Sequence, residues 1–534
     1  MAWRRAPAAA AAVLLLLALA LLAVTPQTTV AQPPSLPIPV VLLLIADTIN
    51  SLSDNPALEA PFEFRLNAAS ALPTFDCVGI YAPNARRYRA WDGTAVRRAP
   101  PALRSDDAIG LCAAAAIGVV DAHLFGAAAV ESLYVATAAG GFDVPRGNDS
   151  RCGAAVPRSA IGCTGVAVGR RYIAAQLERD GMNADGRAGV PPGGRPRPFF
   201  DAVTGYAPVN GPAAGVTRLT RWMPLVEDVR GAGTYAVQSV TAAQTSRAKP
   251  VLVPARRLRR LRVPPPYKSP DAYAPDFVCG GRHRDPDGLC AKARAVLDAG
   301  RHLTDRRRTL ITWFDRKASS IAALPLRLLE RQLPFADYLA LEFALGAFSW
   351  DATVAVWGEK LRHDAVRPAS LIPSILRRTR AGAAWAPAIR TMPHAEYPSA
   401  SAAICSGFAL LFRTAGGDAL NLTVPFAAGA VGDGLPAAPF VEHFADAAAI
   451  ATACADSRVW GGLHFPDAVD AGQKLGEAVA KEVLAVVACR APGTPWLPPC
   501  ERRGGGGGGK VVGAHGVKHG DCGNDDCGES DAEA

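Results

Sequence analysis

The chain predicts a mainly α fold of two packed helical bundles with loop-rich insertions. Three observations carry this. Long stretches of the second half repeat apolar residues at helical spacing, strict apolar–polar alternation is scarce, and a Gly/Pro/Arg-rich stretch from about 183 to 295 separates two helical regions. There is no internal repeat.

At 534 residues the chain is long enough for a large core, and length alone suggests roughly two to four domains. Arg4 and Arg5 precede an apolar run from Ala8 to Val24, followed by small and polar residues to Ala31. Residues 1–31 therefore read as a secretory signal cleaved after Thr29-Val30-Ala31. A retained single-span anchor is the alternative, because the run approaches the ~18 residues a span needs. No other stretch reads as long and uncharged enough, so the mature protein is expected without a membrane partner, secreted or in the lumen of the secretory pathway.

Residues 32–300 form a first half. It is Pro-rich and mixed to about 105, helical and Ala-rich over 106–182 (107–125 and 167–180 most clearly), then loop-rich. The second half, 301–490, predicts helices at 301–324, 326–365, 399–414, 441–459 and 467–488. Residues 491–534, with Gly504 to Gly509 and an acidic end, predict a disordered tail.

Twelve cysteines suit an exported protein. Cys152 with Cys163, Cys279 with Cys290, and Cys489 with Cys500 lie eleven apart in irregular sequence, where a local bridge would stabilise by ~3 kcal/mol each. Cys112, Cys405 and Cys454 sit in apolar helical patterns and read as buried thiols. No zinc site is expected: no CxxC pair exists, and Cys522 and Cys527 fall in the polar tail. Asn148-Asp149-Ser150 and Asn421-Leu422-Thr423 are glycosylation sequons, relevant only in a eukaryotic secretory route. The net charge is +9, and the densest basic run spans 256–262. It lacks interleaved aromatics for stacking, so a surface attracting small anions is a simpler reading than a nucleic-acid partner.

Three segments supply anion-binding groups. In Trp357-Gly358-Glu359-Lys360, running on to Arg367-Pro368, the seven-residue spacing places Lys360 and Arg367 on one face of one helix, which Pro368 ends or kinks. Trp357 would wall the pocket. In Glu396-Tyr397-Pro398-Ser399-Ala400-Ser401, Ser399 reads as the N-cap of an Ala-rich helix whose Ala400 N–H is available to an oxyanion. In Ser457-Arg458 through Gly461-Gly462-Leu463-His464, Arg458 ends a helix and the glycines permit a tight turn. Asp467 or Asp470 would orient the imidazole through its second nitrogen. Each segment alone is ordinary: a solvated face, a capped helix, a structural histidine. Together they cage a tetrahedral or trigonal oxyanion with an ammonium, two guanidiniums, a hydroxyl, backbone N–H groups and an imidazole.

The order and spacing of these segments resemble the vanadium-dependent haloperoxidases, which share their anion site with the type 2 phosphatidic acid phosphatases. Gly205-Tyr206-Ala207-Pro208-Val209-Asn210, Arg221-Trp222-Met223-Pro224-Leu225 and Val240-Thr241-Ala242-Ala243-Gln244 look like further landmarks, extending the resemblance over roughly 105–490. It implies vanadate as cofactor, with phosphate as the other occupant, held by Lys360, Arg367, Ser399, Ala400, Arg458 and His464. His464 would be the axial ligand to vanadium. It also implies hydrogen peroxide and halide as substrates, and a small organic acceptor. Two positions depart from the family. Ala400 replaces the usual glycine, and Ser401 stands where the acid–base histidine usually lies. General acid–base catalysis is worth ~10²–10⁴-fold, so weakened activity is expected. His394, five before Ser399, is the candidate stand-in, giving a catalytic set of His464, His394 and Ser401. Two other readings stay open: an acid phosphatase in which His464 attacks phosphorus, and a non-catalytic oxyanion-binding protein.

Overall fold

A computed structural model describes residues 60–177 and 204–501, apart from 85, 140–141, 154–156, 158, 212–215, 229–232, 275, 317–319, 321–332 and 417–420. The expected signal segment and the tail beyond 501 lie outside the described residues. In chain order the first half holds α1 (Ala60–Tyr81), α2 (Asp106–Phe125), α3 (Glu131–Ala139), α4 (Ile161–Tyr172) and an antiparallel pair, β1 (Val226–Asp228) and β2 (Tyr235–Val237). After α5 (Leu289–Gly300) and α6 (Asp305–Asp315) come α7 (Phe335–His363), α8 (Pro368–Ile375) and α9 (Ala400–Thr414). A hairpin of β3 (Leu422–Phe426) and β4 (Phe440–Phe444) leads to α10 (Ala447–Trp460) and α11 (Pro466–Arg490).

The mainly helical fold is as predicted, and its axis is α7. One side of this helix packs on α1, which with α2 and α4 makes one bundle; the other side packs on α9 and α11, which with α10 make the second. Both α2 and α7 are long and apolar enough to cross a bilayer, contrary to the sequence reading, but the apolar window of α7 is wholly buried in protein and that of α2 mostly so. Helix α11 approaches α9 closely because it presents Gly472 and Gly476. A Cβ on Gly472 would lie 2.3 Å from the Ser399 carbonyl oxygen, and one on Gly476 would lie 2.0 Å from that of Ala403.

Helix α1, which the Pro-rich composition of its region hid, runs through Pro73. The helix expected over 441–459 begins only at Ala447, after Asp446 caps its first turn. Residues 440–444 pair with 422–426 instead, because Phe440 and Phe444 face inward and stack around Trp313 and Phe426. All three local disulfides form, and residues 491–500 are therefore held to α11 by Cys489–Cys500. The buried thiols prove to be bridged: Cys112 pairs with Cys77 across α1 and α2, and Cys405 with Cys454 across α9 and α10. Pairs 35 and 49 residues apart leave no spacing signature in the sequence. Five disulfides are compatible with an oxidising compartment.

The basic run is partly spent on ion pairs. Arg257 bonds Glu482 at 2.8 Å and Arg262 bonds Glu359 at 2.6 Å, tying the 256–262 segment to α11 and α7. Helix α7 also buries acids. The Asp351 carboxylate accepts from the N–H groups of Val251, Leu252 and Val253 at 2.6–3.0 Å, and Tyr338 donates to Glu342 at 2.7 Å.

Burial pushes the Glu342 carboxyl up to about 7 from an ordinary value of 4.5. A carboxyl raised on folding favours the native state below its unfolded pKa, and that contribution, roughly 3 kcal/mol, is lost as pH rises through 7. Glu342→Gln keeps the Tyr338 hydrogen bond and removes the titration. Its stability relative to wild type, measured by urea unfolding, is expected to rise between pH 5 and 7 and level off above that; a constant difference from pH 5 to 7 would contradict the account.

Candidate oxyanion site

Lys360 lies in the last turn of α7 and its ammonium donates to the carbonyls of Ala395 (2.9 Å), Glu396 (2.9 Å) and Pro398 (2.7 Å). Three carbonyl acceptors require three donated protons, so this geometry holds the charged form. Burial and neighbouring Arg367 pull the other way, well below the usual ammonium range. Lys360 and Arg367 do not share a helix, contrary to expectation. Helix α7 ends at His363, and Asp364 takes a left-handed conformation (φ +48°) with its carboxylate accepting from Tyr206 Oη at 2.7 Å. The chain then reverses, and Arg367 becomes the N-cap of α8 with Pro368 as its first residue.

Arg367 is held from three sides. Its Nε donates to the His394 carbonyl and one Nη to the Leu463 carbonyl, both at 2.9 Å. That same Nη stands 3.3 Å from His464 Nε2, and the other Nη stands 2.9 Å from His394 Nδ1. His394 Nδ1 also lies 3.0 Å from the Ala395 carbonyl, and its ring leans on Trp357 with centroids 5.1 Å apart. Burial, with Arg458 nearby, lowers the Arg367 guanidinium to about 10, against the opposing pull of Glu396.

Ser399 is fully buried and caps α9 as predicted, its Oγ accepting from Ala402 N at 3.3 Å. Its own N–H goes to the Ala468 carbonyl of α11. Ala400 and Ser401 are the first two helical residues, whose N–H groups have no intrahelical acceptor. The Pro398 carbonyl accepts from Lys360, so this helix start stands beside the ammonium.

Arg458, in the last turn of α10, reaches the C-terminus of α6. Its Nη atoms donate to the Phe314 carbonyl (3.3 Å) and to Asp315 (3.0 Å), while its Nε is buried with no hydrogen-bond partner among the described residues. The Gly461-Gly462 turn folds back on the same residue, since Leu463 N and His464 N both donate to the Arg458 carbonyl. Gly462 has φ +72°, and a Cβ there would lie 2.6 Å from the Trp385 ring. His464 Nδ1 is 3.0 Å from Glu396 Oε1, which also accepts from Phe465 N at 2.9 Å. Burial, then the charges of Arg367, Lys360 and Arg458, hold His464 well below the usual imidazole range, so it is neutral.

The partner of His464 is therefore Glu396, not Asp467 or Asp470. With Pro466 opening α11, Asp467 pairs with Lys292 at 2.7 Å, and Asp470 pairs with Lys474 along the helix surface. The sequence contained the signal in the residue three before Ser399, but a side chain meeting a histidine 68 positions away is a tertiary fact. Asp315 and Trp385 were equally invisible. Lys360, Arg367 and Arg458 are each 1% exposed and His464 is 4% exposed, Arg367 stands beside both His464 and His394, and Ser399 and Ser401 are buried as well.

Gly462→Ala is expected to cost about 2 kcal/mol of unfolding free energy in chemical denaturation, combining left-handed backbone strain with a clash against Trp385. An unchanged midpoint would mean that the turn is not under this constraint.

The family model for the VCPO second helical-bundle domain matches residues 340–491, the stretch that carries Lys360, Arg367, His394, Glu396, Ser399, Arg458 and His464. No curated protein matches the chain. Among solved structures it is similar to an apo-type bacterial vanadium-dependent chloroperoxidase, with 23% identity over 82% of this chain and 96% of that one (TM-score 0.66). The holo-type bacterial vanadium-dependent chloroperoxidase gives 22% identity over 82% and 95% (TM-score 0.66). A bacterial vanadium-dependent iodoperoxidase gives 16% over 86% and 97% (TM-score 0.58). The chain thus shares the helical fold of these structures, and its residues 340–491 match the model of the VCPO second helical-bundle domain.

Proposed function

We propose that this protein binds vanadate in the cage of Lys360, Arg367, Ser399, Ala400, Arg458 and His464 and oxidises halide with hydrogen peroxide, at a rate reduced by Ser401. The observation that carries the reading is a buried surplus of positive charge. Three cations meet with Glu396 and Asp315 as their near carboxylates, and Arg458 Nε is left unpaired. Carbonyls and Asp315 take up much of their hydrogen-bonding capacity, but two carboxyls do not balance three buried charges, and a multiply charged oxyanion would offset the remainder for all three at once. The donor set fits such an anion: guanidinium N–H groups, the N–H groups at the start of α9, and a neutral imidazole nitrogen. Phosphate has the same shape and charge and is the competing occupant.

Bound vanadate would supply a Lewis-acid centre that activates peroxide toward halide. The residues do the rest. Arg367 and Arg458 bind and orient oxygens and offset their charge. His464 offers the Nε2 lone pair that Arg367 now faces. Proton handling falls to His394, the imidazole beside Arg367, because the Ser401 hydroxyl does not exchange a proton near neutral pH. Burial and the contact with Trp357 keep bulk water from that ring.

The test is bromide and iodide oxidation by the vanadate-loaded mature protein, with His464→Ala as the blank. Slow turnover that His464→Ala abolishes is expected, with His394→Ala removing most of it and Ser401→His raising it about 10²-fold. No vanadate-dependent turnover in either wild type or Ser401→His would overturn the haloperoxidase reading and leave an oxyanion-binding protein.

A further inference from the structure

We infer that Glu396 is the positioning residue of this site: it fixes His464 as the Nδ1–H tautomer and thereby aims the Nε2 lone pair into the cationic cage. Two contacts on opposite edges of the ring require the same tautomer. On one edge Glu396 Oε1 stands 3.0 Å from Nδ1 and already accepts from Phe465 N at 2.9 Å. Burial raises the Glu396 carboxyl to about 8, but the oxygen that accepts from Phe465 N is its unprotonated one, so Nδ1 carries the proton toward it. On the other edge an Arg367 Nη, which can only donate, stands 3.3 Å from Nε2, so Nε2 carries none. Free histidine prefers the opposite tautomer, so the protein imposes this one.

Glu396 is itself held at three points, which makes it a rigid reference. Its N–H donates to the Ala365 carbonyl, its own carbonyl accepts from Lys360, and its carboxyl spans His464 and Phe465. The residue thus couples the loop that Lys360 binds to the turn that carries the histidine. The acids that follow His464 in sequence do not compete, since Asp467 and Asp470 are paired with lysines. A partner of this kind also raises the donor strength of Nε2, which favours ligation to an electrophilic centre.

The vanadate reading enters only in what the lone pair binds, and the experiment keeps the two questions apart. The first measurement is the ¹⁵N spectrum of histidine-labelled, vanadate- and phosphate-free protein, with His464→Ala assigning the resonance. Wild type is expected to show a protonated Nδ1 and a bare Nε2 on His464. Glu396→Gln, which keeps an acceptor oxygen, should retain that pattern, while Glu396→Met should lose it. The second measurement is vanadate binding by equilibrium dialysis, expected to weaken roughly 10–100-fold in Glu396→Met and by less in Glu396→Gln. An Nε2–H tautomer in wild type, or an unchanged Nδ1–H tautomer in Glu396→Met with a native melting profile, overturns the positioning role. If Glu396→Met does not fold, the role stands or falls on the wild-type and Glu396→Gln spectra. Absence of vanadate binding in wild type would sink the proposed function while leaving the tautomer result to decide this one.

Discussion

The three carbonyls that accept from Lys360 belong to Ala395, Glu396 and Pro398, so one buried ammonium sets the path of the loop leading into α9. Ser399 and the N–H groups of Ala400 and Ser401 follow directly on that loop. The carboxyl of Glu396 leaves from it toward His464, and His394 precedes it against Arg367. A neutral side chain of the same length could not bind three carbonyls, and Arg could not converge its donors on one point. The cost of burying the charge is shared among three strong hydrogen bonds, but those bonds do not cancel the field that Lys360 adds at His464. In the proposed reading that residual field is what favours an anion in the site.

The remaining supports work outward from the cage. Arg458 is anchored at the C-terminus of α6, where helix carbonyls and Asp315 suit a cation. Helix α6 is in turn gripped by the hairpin: Arg306 bonds Glu442 of β4 at 2.6 Å, and Trp313 meets Phe426 edge-on at 5.4 Å. The hairpin therefore acts on the site through α6 although it touches none of the cage residues in the contacts described. On the other flank, Gly472 and Gly476 let α11 close on the first turns of α9. The Cys405–Cys454 bridge ties α9 to α10, so the helices that deliver Ser399 and Arg458 are covalently linked.

Much of this was legible in the residues, and what was not shares one cause. The local conformations at Ser399, Arg458 and His464 could be placed from local grammar, an N-cap, a helix end and a double-glycine turn, while the roles expected of them came from the resemblance. The α2, α9, α10 and α11 helices were readable from apolar spacing. Periodicity failed where a backbone reversal or a distant partner decides. Nothing in the local sequence announces that Asp364 turns left-handed, because that turn is held by Tyr206 from 158 residues away. Pro-rich composition concealed α1, whose stability comes from burying its face on α7. The two interhelical disulfides and the Glu396–His464 pair are likewise contacts between segments, which one sequence without its fold does not disclose.

Proton transfer is the point at which the proposed chemistry departs from the family resemblance. A histidine at position 401 would act from the second residue of α9, whereas His394 approaches from the loop before it, so in the proposed reading the acid–base group has crossed from one wall of the cage to the other. That move has an electrostatic consequence. His394 Nδ1 lies within hydrogen-bonding distance of an Arg367 Nη and of the Ala395 carbonyl. The Nη can only donate to a bare Nδ1, while the carbonyl can accept only from a protonated one. An oxyanion that draws Arg367 toward itself would weaken the first influence and leave the second. In that arrangement Nδ1 would carry its proton toward the Ala395 carbonyl, and Nε2 would be the ring nitrogen left as an acceptor. The loop held by Lys360 would then set both where the anion sits and which ring nitrogen of His394 faces it.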